Sequence, residues 1–237
     1  MVCTRFGDPA IGILRTSGEG GGIPIAMVTI SATDRIEVHR TTSSAYERFA
    51  GVCAVLVGVL TLLYSISFII LVNEPLSSFC LLANGLLASA VLVALYERLR
   101  SSEPSFALWA LLLGLAGAVG SALHGGYDLA AVLHQHAPVD PNLPSAMDPR
   151  GLMTFGTSGL ALWVFAWLIL RSGQLPKPLG YLGYLVAALQ IILYLGRLIV
   201  FDAKSPVIVV PALVAGFVAT PIFLAWLGVS LWRGARA

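Results

Sequence analysis

The chain has 237 residues, 57% of them hydrophobic and 11% charged, with a mean hydropathy of +0.87 and a formal net charge of +2. A soluble domain carries roughly 25% charged residues, so polar surface this sparse cannot cover a water-soluble globule, and the expected solvent is a lipid bilayer. The basic residues are scattered rather than clustered, which excludes nucleic acid as a partner.

Residues 1–48 are the one long polar segment. Gly18-Glu19-Gly20-Gly21-Gly22 has the composition of a flexible linker. No short apolar core with a small-residue cleavage site follows it, so it does not read as a secretory signal. Met27 offers an alternative start. The segment is expected to be a disordered cytoplasmic tail, with a short interfacial helix over 43–48 leading into the membrane.

Six apolar runs follow, expected as helices over about 49–72, 77–96, 105–134, 152–170, 179–201 and 207–232. Each is long enough to cross a hydrocarbon core of ~30 Å. Backbone groups in lipid must be satisfied within the segment, and no run shows the alternation of a β-barrel strand. The fold class is therefore all-α, a polytopic membrane protein whose residues 49–234 form one six-helix domain. With six spans, eleven of the fourteen basic residues fall on the side of the tail, the 97–104 and 171–178 loops and the C-terminus. The positive-inside rule makes that side cytoplasmic, so both termini are expected inside a bacterial plasma (inner) membrane. The tryptophans lie in or near the ends of runs, as an interfacial belt expects, with Trp163 deeper. The loop 134–150 is rich in proline and reads as a stiff outer cover.

His124-Gly125-Gly126-Tyr127-Asp128 lies near the end of the third run. An ionisable group inside a span is costly and marks a candidate site by default. At ~1.5 Å per residue, His124 lies roughly 27 Å along the third helix from its cytoplasmic start. Arg197 reaches a similar height on the fifth. Asn84, Tyr64, Thr154, Thr157 and Ser158 also fall in the outer half, and Gln190 near the middle. Polar groups collecting at one depth on several helices predict an outward-facing polar pocket, with Asp128 paired to Arg197 and His124 one turn below Asp128 on the same face. The competing reading is a structural clasp that fixes helix register.

Gly117, Ser121 and Gly125 recur every four residues on the third helix. Such a stripe allows close backbone approach, either to a neighbouring helix of the same chain or in a homo-oligomer. His134, His136 and Asp140 are weak candidate metal ligands on the outer loop, without the further partners a closed geometry needs. Haem is not expected, because His124 is the one clearly embedded histidine. Cys3, Cys53 and Cys80 form no redox or metal motif and read as small apolar fillers. There is no phosphate loop, HExxH or GxSxG, so no catalytic residue and no cofactor are assigned. Pro211 and Pro221 are expected to kink or interrupt the last helix.

The stretches 124–134, 179–183 and 195–199 resemble uncharacterised six-pass bacterial integral membrane proteins of the kind grouped as domains of unknown function. The resemblance covers about residues 48–234 and implies architecture without mechanism. The expected function is that of a small membrane sensor, accessory or assembly component with an outer pocket, alone, as a homo-oligomer or beside a larger membrane partner. The alternative is a transporter of a small solute or proton using Asp128, His124 and Arg197.

Overall fold

Proline and asparagine punctuate the chain where the helices begin. Pro104 and Pro206 occupy the first position of their helices, and Pro75 and Pro178 the second, where a missing N–H costs nothing. Asn73 caps the second helix by accepting a hydrogen bond from the Leu76 N–H at 3.0 Å. Gly173, at φ +65°, closes the fourth. The computed structural model describes residues 32–134, 147–200 and 202–234, with side chains from residue 45. Among these residues every regular element is helical.

Six helices are long and apolar enough to cross a membrane: α1 over Ala45–Ile70, α2 over Glu74–Leu99, α3 over Pro104–Leu133, α4 over Pro149–Ser172, α5 over Lys177–Ile199 and α6 over Pro206–Gly234. Their bounds fall within a few residues of those expected from sequence. α1 is helical from Ala32, so part of the segment expected as a disordered tail is an extension of the first helix. No glycine or proline lies between Ala32 and Arg48, so nothing in that stretch interrupts propagation of the helix.

The interruption expected in the last helix is a wide π-turn, Ala215–Ala219, flanked by Pro211 and Pro221. Related π-turns end α1, at Ile66–Ile70, and start α4, at Leu152–Thr157. Such turns are rare and concentrate at functional sites.

Each helix packs on its neighbours in sequence, and α6 returns to pack on α1, so the six close into a ring. The closing seam is backbone against backbone: a Cβ on Gly51 would lie 2.8 Å from the Gly228 carbonyl oxygen. At the end bearing the 100–103 and 173–176 turns, the ring is filled. Leu99, Phe165, Leu168, Ile169, Leu179, Leu227 and Leu231 interlock there, with Cys53 in the same cluster. Outward, the helices present large apolar side chains such as Leu86, Leu112, Val119, Leu185 and Ile222. Ion pairs dress the filled end, Arg98 to Glu47 at 3.4 Å and Arg171 to Glu103 at 2.8 Å. Cys53 and Cys80 are buried free thiols, and Cys3 lies outside the described residues.

The Gly117–Ser121–Gly125 stripe is covered by the chain itself. A Cβ on Gly125 would meet backbone atoms of Ser78 and Leu82 on α2, and one on Gly117 would meet Ser158 and the Met153 carbonyl on α4. Close packing within the chain therefore accounts for the stripe.

Candidate binding chamber and polar clasp

Toward the opposite end the ring encloses a chamber of about 770 Å³, lined by residues from all six helices. The loops at 72–74, 150 and 202–204 converge at its mouth, bringing Glu74, Arg150, Asp202 and Lys204 together. Below them come Tyr64, Asn84, Thr154, Gln190 and Arg197. Deeper still the lining is Val91, Leu92, Leu95, Val186, Phe223 and Leu227, which merges into the filled end. The charged and polar residues thus lie toward the mouth, among apolar ones such as Phe68, Ile69, Val72 and Ile208, and the floor is apolar.

Four of the candidate residues share this chamber: Tyr64, Asn84, Gln190 and Arg197. Asn84 donates to Thr61 Oγ1 at 2.8 Å, and Thr61 in turn donates to the Val57 carbonyl, which ties α2 to α1. Gln190 Oε1 is buried with no hydrogen-bond partner among the described residues. Arg197 lies over the Phe155 ring, 5.9 Å from its centroid, and no carboxylate among the described residues pairs with it.

The expected Asp128–Arg197 pair is therefore not formed. Asp128 is engaged along its own helix instead, with Oδ2 3.2 Å from His124 Nε2 one turn away. That geometry comes at little entropic cost on a helix face. His124 and Asp128 do not line the chamber, and Tyr127 is exposed on the bundle surface.

The partner that sequence reasoning missed is Asp148. Its side chain is fully buried, and its carboxylate accepts from the Met153 N–H at 2.8 Å and the Thr154 N–H at 3.0 Å. It thereby caps the first turn of α4, where free N–H groups and the helix dipole favour an anion. The other ring nitrogen of His124 lies 3.7 Å from Asp148 Oδ2. One imidazole thus stands between a carboxylate of α3 and a carboxylate at the start of α4, close enough to Asp148 for electrostatic contact while its Nδ1 is buried without a hydrogen-bond partner among the described residues. Arg150 and Gly151, at φ +58° and +80°, break the first turn of α4 between Asp148 and the amides it caps. A Cβ on Gly151 would collide with the Phe155 ring. Ser121 reaches across to Thr154, Oγ to Oγ1 at 3.5 Å, and Thr154 lines the chamber. The clasp therefore holds one wall of the chamber without contributing its ionisable groups to it. Asp148 was legible as Asp148-Pro149 directly before an apolar run, an acidic cap followed by a first-turn proline.

Burial pushes the Asp148 carboxyl up, but hydrogen bonds from Thr154 and from the Met153 and Thr154 amides, with the His124 ring nearby, outweigh it and hold the group down at about 2. A carboxyl depressed in the folded state stabilises the fold above its unfolded value of ~3.9. That contribution is lost as pH falls from about 4 through about 2. Unfolding midpoints of the detergent-solubilised protein should drop across this window. The drop should be smaller in Asp148→Asn, with Asp128 and His124 left in place; an equal drop in both proteins would remove Asp148 as its source.

The weak metal candidates gain no support. His134 lies at the exposed end of α3 with Nδ1 2.7 Å from its own Ala130 carbonyl oxygen, and His136 and Asp140 lie outside the described residues. Among the described residues no group of three or more His, Cys, Asp or Glu side chains could hold a metal ion. Comparison of the chain with protein-family models, with curated proteins and with solved structures gives no match.

Proposed function

We propose that this chain is a membrane-embedded binding protein, a sensor or accessory component that holds a small amphiphilic molecule in the central chamber. The observation that carries the reading is the placing of the charged and polar lining residues toward the mouth of the chamber, above an apolar floor. Its volume of about 770 Å³ is in the range of small-molecule sites, ~300–1,000 Å³. The ring of six helices supports it as well, since six helices closed on one another leave space along their axis. In this reading the protein lies in a bacterial plasma membrane with both termini in the cytoplasm, the filled end inside and the chamber mouth outside. Support for that orientation comes from the excess of basic residues in the loops at the filled end.

The test is to purify the protein in mild detergent and identify what stays bound by mass spectrometry, beside a variant in which the chamber is filled. Ala88 lines the chamber, and Ala88→Phe should abolish retention of the bound molecule while leaving the protein monodisperse. Equal retention by both proteins would place the molecule elsewhere and sink the reading.

The transporter alternative would need the apolar cluster around Leu99, Leu179 and Leu231 to part, since it fills the ring beyond the chamber floor. Flux in reconstituted vesicles that disappears on neutralising Asp128 or Arg197 would favour it.

A further inference from the structure

We propose that Arg197 anchors the anionic head, a carboxylate or a phosphate, of a single-chain amphiphile whose chain runs down the chamber toward Val186, Leu95 and Leu227. This rests on the chamber being a binding site, as proposed above, and names what it selects.

The guanidinium is the starting point. It is half-buried within a membrane-length helix, it lines the chamber, and no carboxylate among the described residues neutralises it. An ionised group at such a depth is normally paired or turned to a wet cavity. Asp128, the acidic group at similar height on α3, is already engaged by His124 at 3.2 Å. The missing anion is therefore one that enters the chamber. Arginine also suits the task chemically, because its planar fork donates two parallel hydrogen bonds to a carboxylate or phosphate.

The surroundings fit the same ligand. Tyr64 lines the chamber within electrostatic reach of both Arg197 and Asp128, and its hydroxyl, with no hydrogen bond to a described residue, is a second donor available on that wall. At the mouth Arg150 and Lys204 are balanced by Glu74 and Asp202, so the formal net charge of the lining is the one positive charge of Arg197. Below Arg197 the α5 wall continues through Gln190 and Leu193 to Val186, a descent of roughly 16 Å at ~1.5 Å per residue. A slot of that length beneath one cation, passing the polar Gln190 and apolar below it, takes an alkyl chain. A chamber of drug-molecule size takes one chain rather than a two-tailed phospholipid.

The test uses the full chain in phosphatidylcholine nanodiscs and radiolabelled probes of one chain length, read by scintillation proximity against empty nanodiscs. The probes are dodecanoate, dodecyl phosphate, dodecanol and dodecyltrimethylammonium. Wild-type protein should bind both anions saturably, and Arg197→Gln should weaken them by about tenfold or more, as loss of a charge-assisted bond does. Arg197→Lys should fall between. Removing an unpaired charge should leave the thermal midpoint unchanged or raised, so a fall in binding with the midpoint held is not a folding defect. Dodecanol and the trimethylammonium probe should bind weakly, and no less to Arg197→Gln than to wild type. Equal anion binding by wild type and Arg197→Gln, or dodecanol binding as tight as dodecanoate, would overturn the head-group assignment. Inorganic phosphate that displaces dodecyl phosphate at comparable concentration would mark a free-anion site and overturn the amphiphile; failure to displace supports it. Ala88→Phe separates the two levels of the argument. If it blocks probes that ignore Arg197, the chamber stands and the head-group assignment falls. If it blocks none, both fall.

Discussion

Asp148→Ala should lower the unfolding free energy by about 3–5 kcal/mol, the usual cost of breaking a buried charge cluster by removing one partner. Three losses fall together. The Met153 and Thr154 amides lose their acceptor at the start of α4, a cap worth ~1 kcal/mol by itself. His124 keeps Asp128 but loses the carboxylate facing its other nitrogen. A side-chain-sized hole opens at a position with no solvent access. Tryptophan fluorescence during chemical unfolding in mild detergent would read the effect. Asp128→Ala provides the contrast, because Asp128 is partly exposed and one turn from its partner, and it should cost no more than ~1 kcal/mol. A wild-type midpoint for Asp148→Ala would mean that the clasp does not hold α4 to α3.

Gly125→Val should be of similar severity through a different cause. The position has no room for a Cβ: the atom would fall against the Leu82 nitrogen and 2.6 Å from the Ser78 carbonyl oxygen. Both are backbone, so no side chain can rotate away, and α2 must move off α3. Overpacking a fitted core costs ~1–3 kcal/mol, and displacement of a whole helix belongs at the upper end. Gly85 meets the same constraint from the other side, facing the Ala118 carbonyl and Ala122, so Gly85→Val should act alike. Gly173→Ala is the control for a glycine whose site is open, with nothing within 4 Å of the added Cβ; there the cost is that of its positive φ alone. Melting midpoints by size-exclusion fluorescence after heating would rank the three. Equal losses at all three positions would show that helix approach is not what Gly125 provides.

The helices were legible because their determinants are local. Long apolar runs without charge, opened by proline and closed by glycine or arginine, mark where spans begin and end. The collection of polar groups at one depth was legible too, since a fixed rise per residue converts position into height. Rotation about each helix axis was not. Tyr64, Asn84, Gln190 and Arg197 face one chamber, while His124 and Asp128, at the same height, do not line it. Which way α3 turns is decided by Gly125 against α2 and Gly117 against α4, contacts between segments far apart in sequence. The Asp128–Arg197 expectation failed on this point: complementary charges at one level pair only if both helices present them inward, and a carboxylate one turn from a histidine has a nearer partner. Asp148 was overlooked for another reason. Asp148-Pro149 marks a helix start, but it lies in a stretch read as loop, and the amides that its carboxylate caps belong to a π-turn further on rather than to a regular first turn.

The ring also sets an order on assembly. α1 packs on α6, across nearly the whole length of the chain, so the Gly51–Gly228 seam cannot form until the last span has been delivered to the membrane. Without α6 the first five helices leave a gap in the ring, and the part of the chamber wall that Ile208, Ala215, Phe223 and Leu227 supply is missing. A chain released before α6 would have the walls of a chamber but no chamber. The enclosure is completed by the final helix, which supplies both its last wall and the seam that closes it.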